Sequence, residues 1–212
     1  MMAQISLFPL LDTQTLHPKP YPNNQHAVDA IHGFRYILDY LSEFQHEWLL
    51  NHIDQQEWST FYQRRVQHYG HSYTFNGQQQ EQEKQFDPFP EWINRLCLKL
   101  HNDGHMPMIA NQVLVSEYEP GQGIGDHTDK EACYMDTIVI LSLSSSCVMD
   151  LTNVKDRTIK VPVWLAPRSL TVLSGDAKNR WMHGIPSRKS DMWDGRKYER
   201  QRRISLSFRR LV

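Results

Sequence analysis

Three His-x-Asp pairs stand in this chain: His52-Ile-Asp54, His101-Asn-Asp103 and His127-Thr-Asp129. On a β-strand, side chains alternate with period two, so residues i and i+2 share a face. With a distant third histidine, such a pair makes the two-His-one-carboxylate triad, which holds iron on one side and leaves the other positions open. The pattern alone is common, and local structure separates the three copies. His52 and Asp54 fall at the end of a helical stretch, where i and i+2 diverge by roughly 200° around the axis. His101 and Asp103 end a second such stretch, where a solvated or capping role is expected. Only His127 and Asp129 follow a glycine-rich turn and lead into a series of strands, and of the remaining histidines, which read mostly as surface residues, His183 differs by the alternating segment that comes after it. The turn itself, Gly121-Gln-Gly123-Ile-Gly125, has the wrong spacing for a dinucleotide fingerprint and no helix is expected after it.

A second constellation lies near the C-terminus. Arg203-Ile-Ser205-Leu-Ser207-Phe-Arg209 alternates strictly, with Ile204, Leu206 and Phe208 on one face and Arg203, Ser205, Ser207 and Arg209 on the other. One reading is an edge strand with a wet face. The other is a strand whose polar face lines a barrel interior. Arg203 and Arg209 would then stand roughly 20 Å apart along the strand at ~3.3 Å per residue, reaching inward to grip a short dicarboxylate. The planar guanidinium fork suits that task because it binds carboxylates bidentately.

These groups need a scaffold, and 212 residues with 40% apolar content can build one domain with a real core. No apolar run approaches the ~20 residues of a membrane-spanning helix. The apolar stretch 5–11 lacks a preceding positive charge and a cleavage site, so no signal peptide is read. Three cysteines without C-x-x-C spacing argue against a disulfide framework or a zinc knuckle and for a reducing cytoplasm. The net charge of −1 excludes a generally basic nucleic-acid coat. It is unevenly spread, however: residues 155–212 carry 15 Lys/Arg against 5 Asp/Glu, and seven of those cations fall in 188–203. That run reads either as a solvated face or as a loop contacting phosphates.

Along the chain, residues 1–30 hold Pro9, Pro18, Pro20 and Pro22 and read as an extended arm, leaving 31–212 as the domain. A short strand is expected at 34–38. Leu41, Phe44, Trp48, Leu49 and Ile53 predict an amphipathic helix over 41–53. Residues 64–73 look extended and the polar run 78–85 reads as a loop. Pro90, Ile93, Leu96, Cys97, Leu100 and Gly104 mark a second helix with its stop. Short β-branched runs at 111–118, 137–144, 148–151, 160–165, 170–173 and 203–211 then argue for a sandwich or barrel.

The order His127-x-Asp129, His183, Arg203-x-Ser205, Arg209 resembles the iron(II)- and 2-oxoglutarate-dependent dioxygenases. Tyr118-Glu119-Pro120-Gly121 resembles the AlkB branch. Three stretches are similar to the AlkB homologues that hydroxylate wobble uridine in tRNA: Arg64-Arg65-Val66-Gln67-His68-Tyr69-Gly70, Gly121-Gln122-Gly123-Ile124 and Trp181-Met182-His183-Gly184-Ile185. The resemblance runs from about residue 34 to residue 210. It implies a mainly β fold, a double-stranded β-helix (jelly roll) with two N-terminal helices packed on the major sheet. His127, Asp129 and His183 would ligate Fe(II), with 2-oxoglutarate and O2 as cosubstrates. Arg203, Ser205 and Ser207 would face 2-oxoglutarate, with Tyr118 assisting and Arg209 nearer the metal. The family's usual Asn two residues before the Tyr is Ser116 here, a shorter hydrogen-bonding group.

The implied reaction releases succinate and CO2 and oxidises a C–H group on a modified base, by N-demethylation or hydroxylation. A nucleic acid is then the partner, with the protein acting as a monomer away from membranes. Tyr69 and Tyr73 are candidates to stack on a flipped base, and Glu131 to contact its edge. Two other readings are a metal-holding binding protein without turnover and a cupin-type hydrolase or isomerase. The Arg203/Arg209 pair argues against the latter, which needs no dicarboxylate clamp.

Overall fold

Strict alternation places a strand between two environments, and the 203–209 segment is such a strand. The computed structural model describes residues 18–20, 25–60, 63–76, 79–85, 88–129 and 135–211, with backbone alone for 72–76 and 79–85. The elements run α1 (Gln25–Asp29), β1 (Phe34–Ile37), α2 (Glu43–Asp54), β2 (Val66–Asn76), β3 (Gln79–Gln85), α3 (Glu91–Asn102), β4 (Gln112–Tyr118) and β5 (Ile124–His127). They continue with β6 (Thr137–Ser144), β7 (Cys147–Asn153), β8 (Lys160–Leu165), β9 (Leu170–Ser174), α4 (Gly175–Asn179), β10 (Trp181–Ile185), β11 (Ser190–Trp193), β12 (Arg196–Glu199) and β13 (Arg203–Arg209).

A seven-stranded sheet in the order β1-β9-β6-β13-β4-β2-β3 packs against a four-stranded sheet, β5-β10-β7-β8. Every pairing is antiparallel. This is the jelly roll, with β13 near the middle of the larger sheet rather than at an edge. Ile204, Leu206 and Phe208 point outward beneath the helices, together with Val139, Leu141 and Leu143 of β6. Leu49 and Ile53 of α2 and Ile93, Leu96 and Leu100 of α3 cover them. The alternate residues of β6, Ile138 and Ile140, turn inward to meet Met149, Leu165 and Ile185 of the smaller sheet.

Local chemistry starts and stops the helices. Ser42 caps α2 in a reciprocal capping box with Gln45, which supplies two amides that would otherwise lack partners. Helix α3 ends at Asn102 with Asp103 as its C-cap, and Gly104 follows at φ 74°, the left-handed turn that favours glycine. Phe44, expected on the buried face of α2, is 48% exposed; Leu41, Leu49 and Ile53 are buried there, with Trp48 packed against them half-buried.

Three segments differ from expectation. Residues 79–85 form strand β3, paired with β2; a sheet-edge strand can be held by backbone pairing without apolar alternation. Gln25–Asp29 is a helical turn that buries Val28, within the stretch expected to be an extended arm. The basic run holds a two-stranded ribbon, β11 with β12. No helix among the described residues is long and apolar enough to cross a membrane.

Candidate metal centre and cosubstrate pocket

Strands β5 and β10 pair so that His127 lies directly opposite His183. Gly184 permits this approach: a Cβ there would lie 2.3 Å from Asp126 Oδ1. Asp129 follows two residues beyond the end of β5, and the donor atoms of His127, Asp129 and His183 all lie within 4.8 Å of one another. The two imidazole rings stand 4.4 Å apart. His127 Nδ1 lies 2.9 Å from the Gly125 carbonyl, which can only accept, so Nδ1 donates there and Nε2 is the nitrogen left for a metal. Burial, reinforced by His127, pushes His183 down to about 4, which keeps its imidazole neutral near pH 7.

Burial alone would raise the Asp129 carboxyl. Arg209, His183 and His127 together outweigh it and hold the group below its ordinary range, as a carboxylate. Arg209 donates through Nε and Nη2 to Asp129 Oδ1, each at 2.8 Å. The other oxygen, Oδ2, is buried without a hydrogen-bond partner among the described residues and lies 3.6 Å from His183 Nε2. Two ring nitrogens and an oriented carboxylate with one unmet oxygen fit a divalent iron held on one face.

The pocket beside this triad contains Arg203, Ser205 and Ser207 of β13 and Ser116 and Tyr118 of β4. Ser205 stands in register with Ser116 on one side and Ser142 on the other. Arg203 is 3% exposed, and its Nη2 donates to Ser142 Oγ at 3.0 Å. Its Nε and Nη1 are buried with no partner among the described residues. An unmet buried polar group costs about 1–3 kcal/mol, more when charged, so this arginine is poised for a carboxylate. Apolar walls from Ile140, Met149, Leu165 and Ile185 exclude water around it.

Several expectations change. Arg209 does not oppose Arg203 as the far jaw of a clamp, because its guanidinium holds Asp129. Tyr69 points away from the pocket. Along β2, Gln67 donates to the Ile53 carbonyl of α2, and Tyr69, two residues on, packs on the same helix side. Its hydroxyl donates to Gln67 Oε1, its ring meets Trp92 edge-on at 5.8 Å, and burial pushes its pKa up to about 12. Parity along the strand, which the sequence leaves open, decides this. Glu131 lies outside the described residues, as does the side chain of Tyr73.

The basic run is largely spent on acids. Arg188 and Arg200 both hold Asp191, Arg202 joins Glu117 and Asp54, and Lys197 pairs with Glu199. Lys189 and Arg196 have no such pair among the described residues. The two discounted His-x-Asp copies are occupied structurally. His52 bonds the Trp48 carbonyl and His101 that of Met106, while Asp103 takes Lys99 and Tyr40.

Arg64 also lines the pocket; in the sequence it stands only within the 64–70 stretch similar to the AlkB homologues, with no role assigned to it. Register explains it: Val66 pairs with Ser116, so the chain two residues earlier runs beside Tyr118.

The fold and this site define an iron(II)- and 2-oxoglutarate-dependent oxygenase. The profile of the 2OG-Fe(II) oxygenase superfamily matches residues 21–209, and the chain belongs to that family. It is similar to the uncharacterized protein L905 of Acanthamoeba polyphaga mimivirus, 32% identical over 191 residues, 86% of each chain. Two further relatives are named for ALKBH8. The alkylated DNA repair protein ALKBH8 homolog of Arabidopsis thaliana is 27% identical, covering 85% of this chain and 59% of the relative. The tRNA (carboxymethyluridine(34)-5-O)-methyltransferase ALKBH8 of Macaca fascicularis is 32% identical over 170 residues, 75% of this chain and 25% of the relative. The chain thus spans 59% and 25% of the length of these two relatives. The solved structure of OsALKBH1 superposes with a TM-score of 0.64 at 14% identity, over 84% of this chain and 98% of that one, which supports the fold.

Proposed function

We propose that this protein oxidises a C–H group on a modified nucleic-acid base, in tRNA or alkylated DNA, as a cytoplasmic monomer. The observation that carries the reading is one pocket lined both by His127 and His183, which form a donor set with Asp129, and by Arg203 with its unmet donors. Similarity to proteins named for alkylated-DNA repair and for tRNA carboxymethyluridine supports the base as substrate. Two cysteines of the described residues, Cys97 and Cys147, are buried and unlinked, in keeping with a reducing compartment.

His127, Asp129 and His183 would hold Fe(II). Bound there with 2-oxoglutarate and O2, the metal supplies oxidation of the substrate carbon, coupled to decarboxylation of 2-oxoglutarate to succinate and CO2. The protein's own share is positioning. Arg209 fixes the Asp129 carboxylate, Gly125 fixes the His127 tautomer, and Arg203 with Tyr118 and Ser205 orients the far carboxylate of the cosubstrate. The apolar walls keep water from the reacting end.

The test is iron-dependent succinate release together with mass spectrometry of digested tRNA and alkylated DNA after incubation. A base that gains one oxygen or loses one methyl in either pool is the expected result. Succinate release with every base of both pools unchanged, at substrate concentrations that saturate binding, would exclude a base as the target. His183→Ala should lose iron-dependent release while keeping its fold by circular dichroism; persistent turnover would mean another third ligand.

A further inference from the structure

Arg64 belongs neither to the metal triad nor to the alternating strand, yet its side chain enters the same pocket as Arg203. Its Nε is buried and has no hydrogen-bond partner among the described residues. The guanidinium carbon lies 5.3 Å from the centroid of the Tyr118 ring, and that of Arg203 lies 5.6 Å from the same centroid. Tyr118 is itself buried. Two cations on one buried ring repel each other in a low-dielectric setting, and the face of a tyrosine offsets only part of that. An anion between them relieves both.

The adjacent Arg65 makes the contrast. It turns the other way and is spent on Glu117, which also holds Arg202. The backbone on the other side of Arg64 is tied as well. Gln122 accepts from the Glu119 amide and donates to the Gln63 carbonyl, fastening this loop to the glycine-rich turn. Arg64 is therefore presented to the pocket by anchored neighbours.

We propose that Arg64 is the second arm of the clamp on the far carboxylate of 2-oxoglutarate, sharing it with Arg203 beside Tyr118. This rests on the reading of the pocket as a 2-oxoglutarate site. It gives the clamp a second arginine in place of Arg209, which is committed to Asp129. It also supplies a long donor close to Ser116, whose hydroxyl reaches less far than an amide.

The test is equilibrium binding by calorimetry without oxygen, with Mn(II) in the metal site. Two ligands are compared: 2-oxoglutarate, and 2-oxovalerate, which has the same chain length and no far carboxylate. Arg64→Ala should raise the 2-oxoglutarate Kd about tenfold or more, the worth of one charge-assisted hydrogen bond. The 2-oxovalerate Kd should not move. Arg64→Lys should recover part of the loss. Equal weakening of both ligands would show that Arg64 only packs Tyr118 in place, and would overturn the proposal. So would an unchanged 2-oxoglutarate Kd with weakened tRNA or DNA binding, which would put a backbone phosphate on Arg64 instead. If the unaltered protein bound neither 2-oxo acid, the pocket assignment itself would fall.

Discussion

Arg200 and Arg203 stand three residues apart and are equally cationic, with exposures of 7% and 3%. Their surroundings differ completely. Arg200 donates to both oxygens of Asp191 and to the Pro186 carbonyl, so every side of its fork is met. Arg203 meets one hydroxyl, Ser142, and leaves Nε and Nη1 unmet. The first arrangement pins the β11–β12 ribbon; the second awaits a ligand. Burial and charge are common to both, so what distinguishes the binding group is hydrogen-bonding capacity left over after folding.

The largest effect expected from this contrast is on the satisfied side. Asp191→Ala strands Arg200 in the interior and should cost about 3–5 kcal/mol in urea unfolding. A loss well below that would mean water reaches the pair. The same carboxylate sets an acid limit. Burial would raise Asp191, but Arg200 and Arg188 hold it below its ordinary 3.8. Its stabilising contribution is therefore complete above that value and lost as pH falls through the lower folded pKa, and Asp191→Asn should flatten this part of the acid-unfolding curve.

On the unmet side the effects are smaller and fall on ligand rather than fold. Arg203→Met should raise the 2-oxoglutarate Kd tenfold to a hundredfold, on the order of 1.5–3 kcal/mol, with urea stability unchanged or higher. A clear loss of stability would place Arg203 with Arg200 as a structural group. The smallest effect belongs to the cations at the ribbon that pair with no acid among the described residues. Lys189→Ala combined with Arg196→Ala should weaken nucleic-acid binding modestly and lower its salt slope by about one for each phosphate no longer neutralised, leaving 2-oxoglutarate binding as it was. Unchanged salt dependence would mark the ribbon as a merely solvated face.

What the sequence conveys and what it withholds divide along the range of the interactions. Strands 137–144 and 160–165 match β6 and β8 because apolar, β-branched runs between turn residues are local signals. The triad is legible because two of its members sit two residues apart, and the alternation of 203–209 forecasts a polar interior face on β13. Tyr69 is misplaced by sequence reasoning because parity relative to the partner strand is set by register, which no local pattern encodes. The hold of Arg209 on Asp129 is not legible because the two lie eighty residues apart in sequence. The basic run looks like a phosphate patch because Asp54 and Glu117, which neutralise Arg202, come from distant elements. Strands β5 and β10, four and five residues long, are too short to show periodicity.

The facing of His127 and His183 across β5 and β10 has a consequence for backbone dynamics. Strand β5 is a four-residue edge of the smaller sheet, paired on one side only. A short edge of this kind opens readily, and its amides should exchange with solvent far faster than those of β6 or β13. A metal held by His127 and His183 would rivet that edge to its neighbour. Hydrogen exchange at 124–127 should therefore slow on metal loading and quicken again with a chelator, while the core strands of the larger sheet hardly respond.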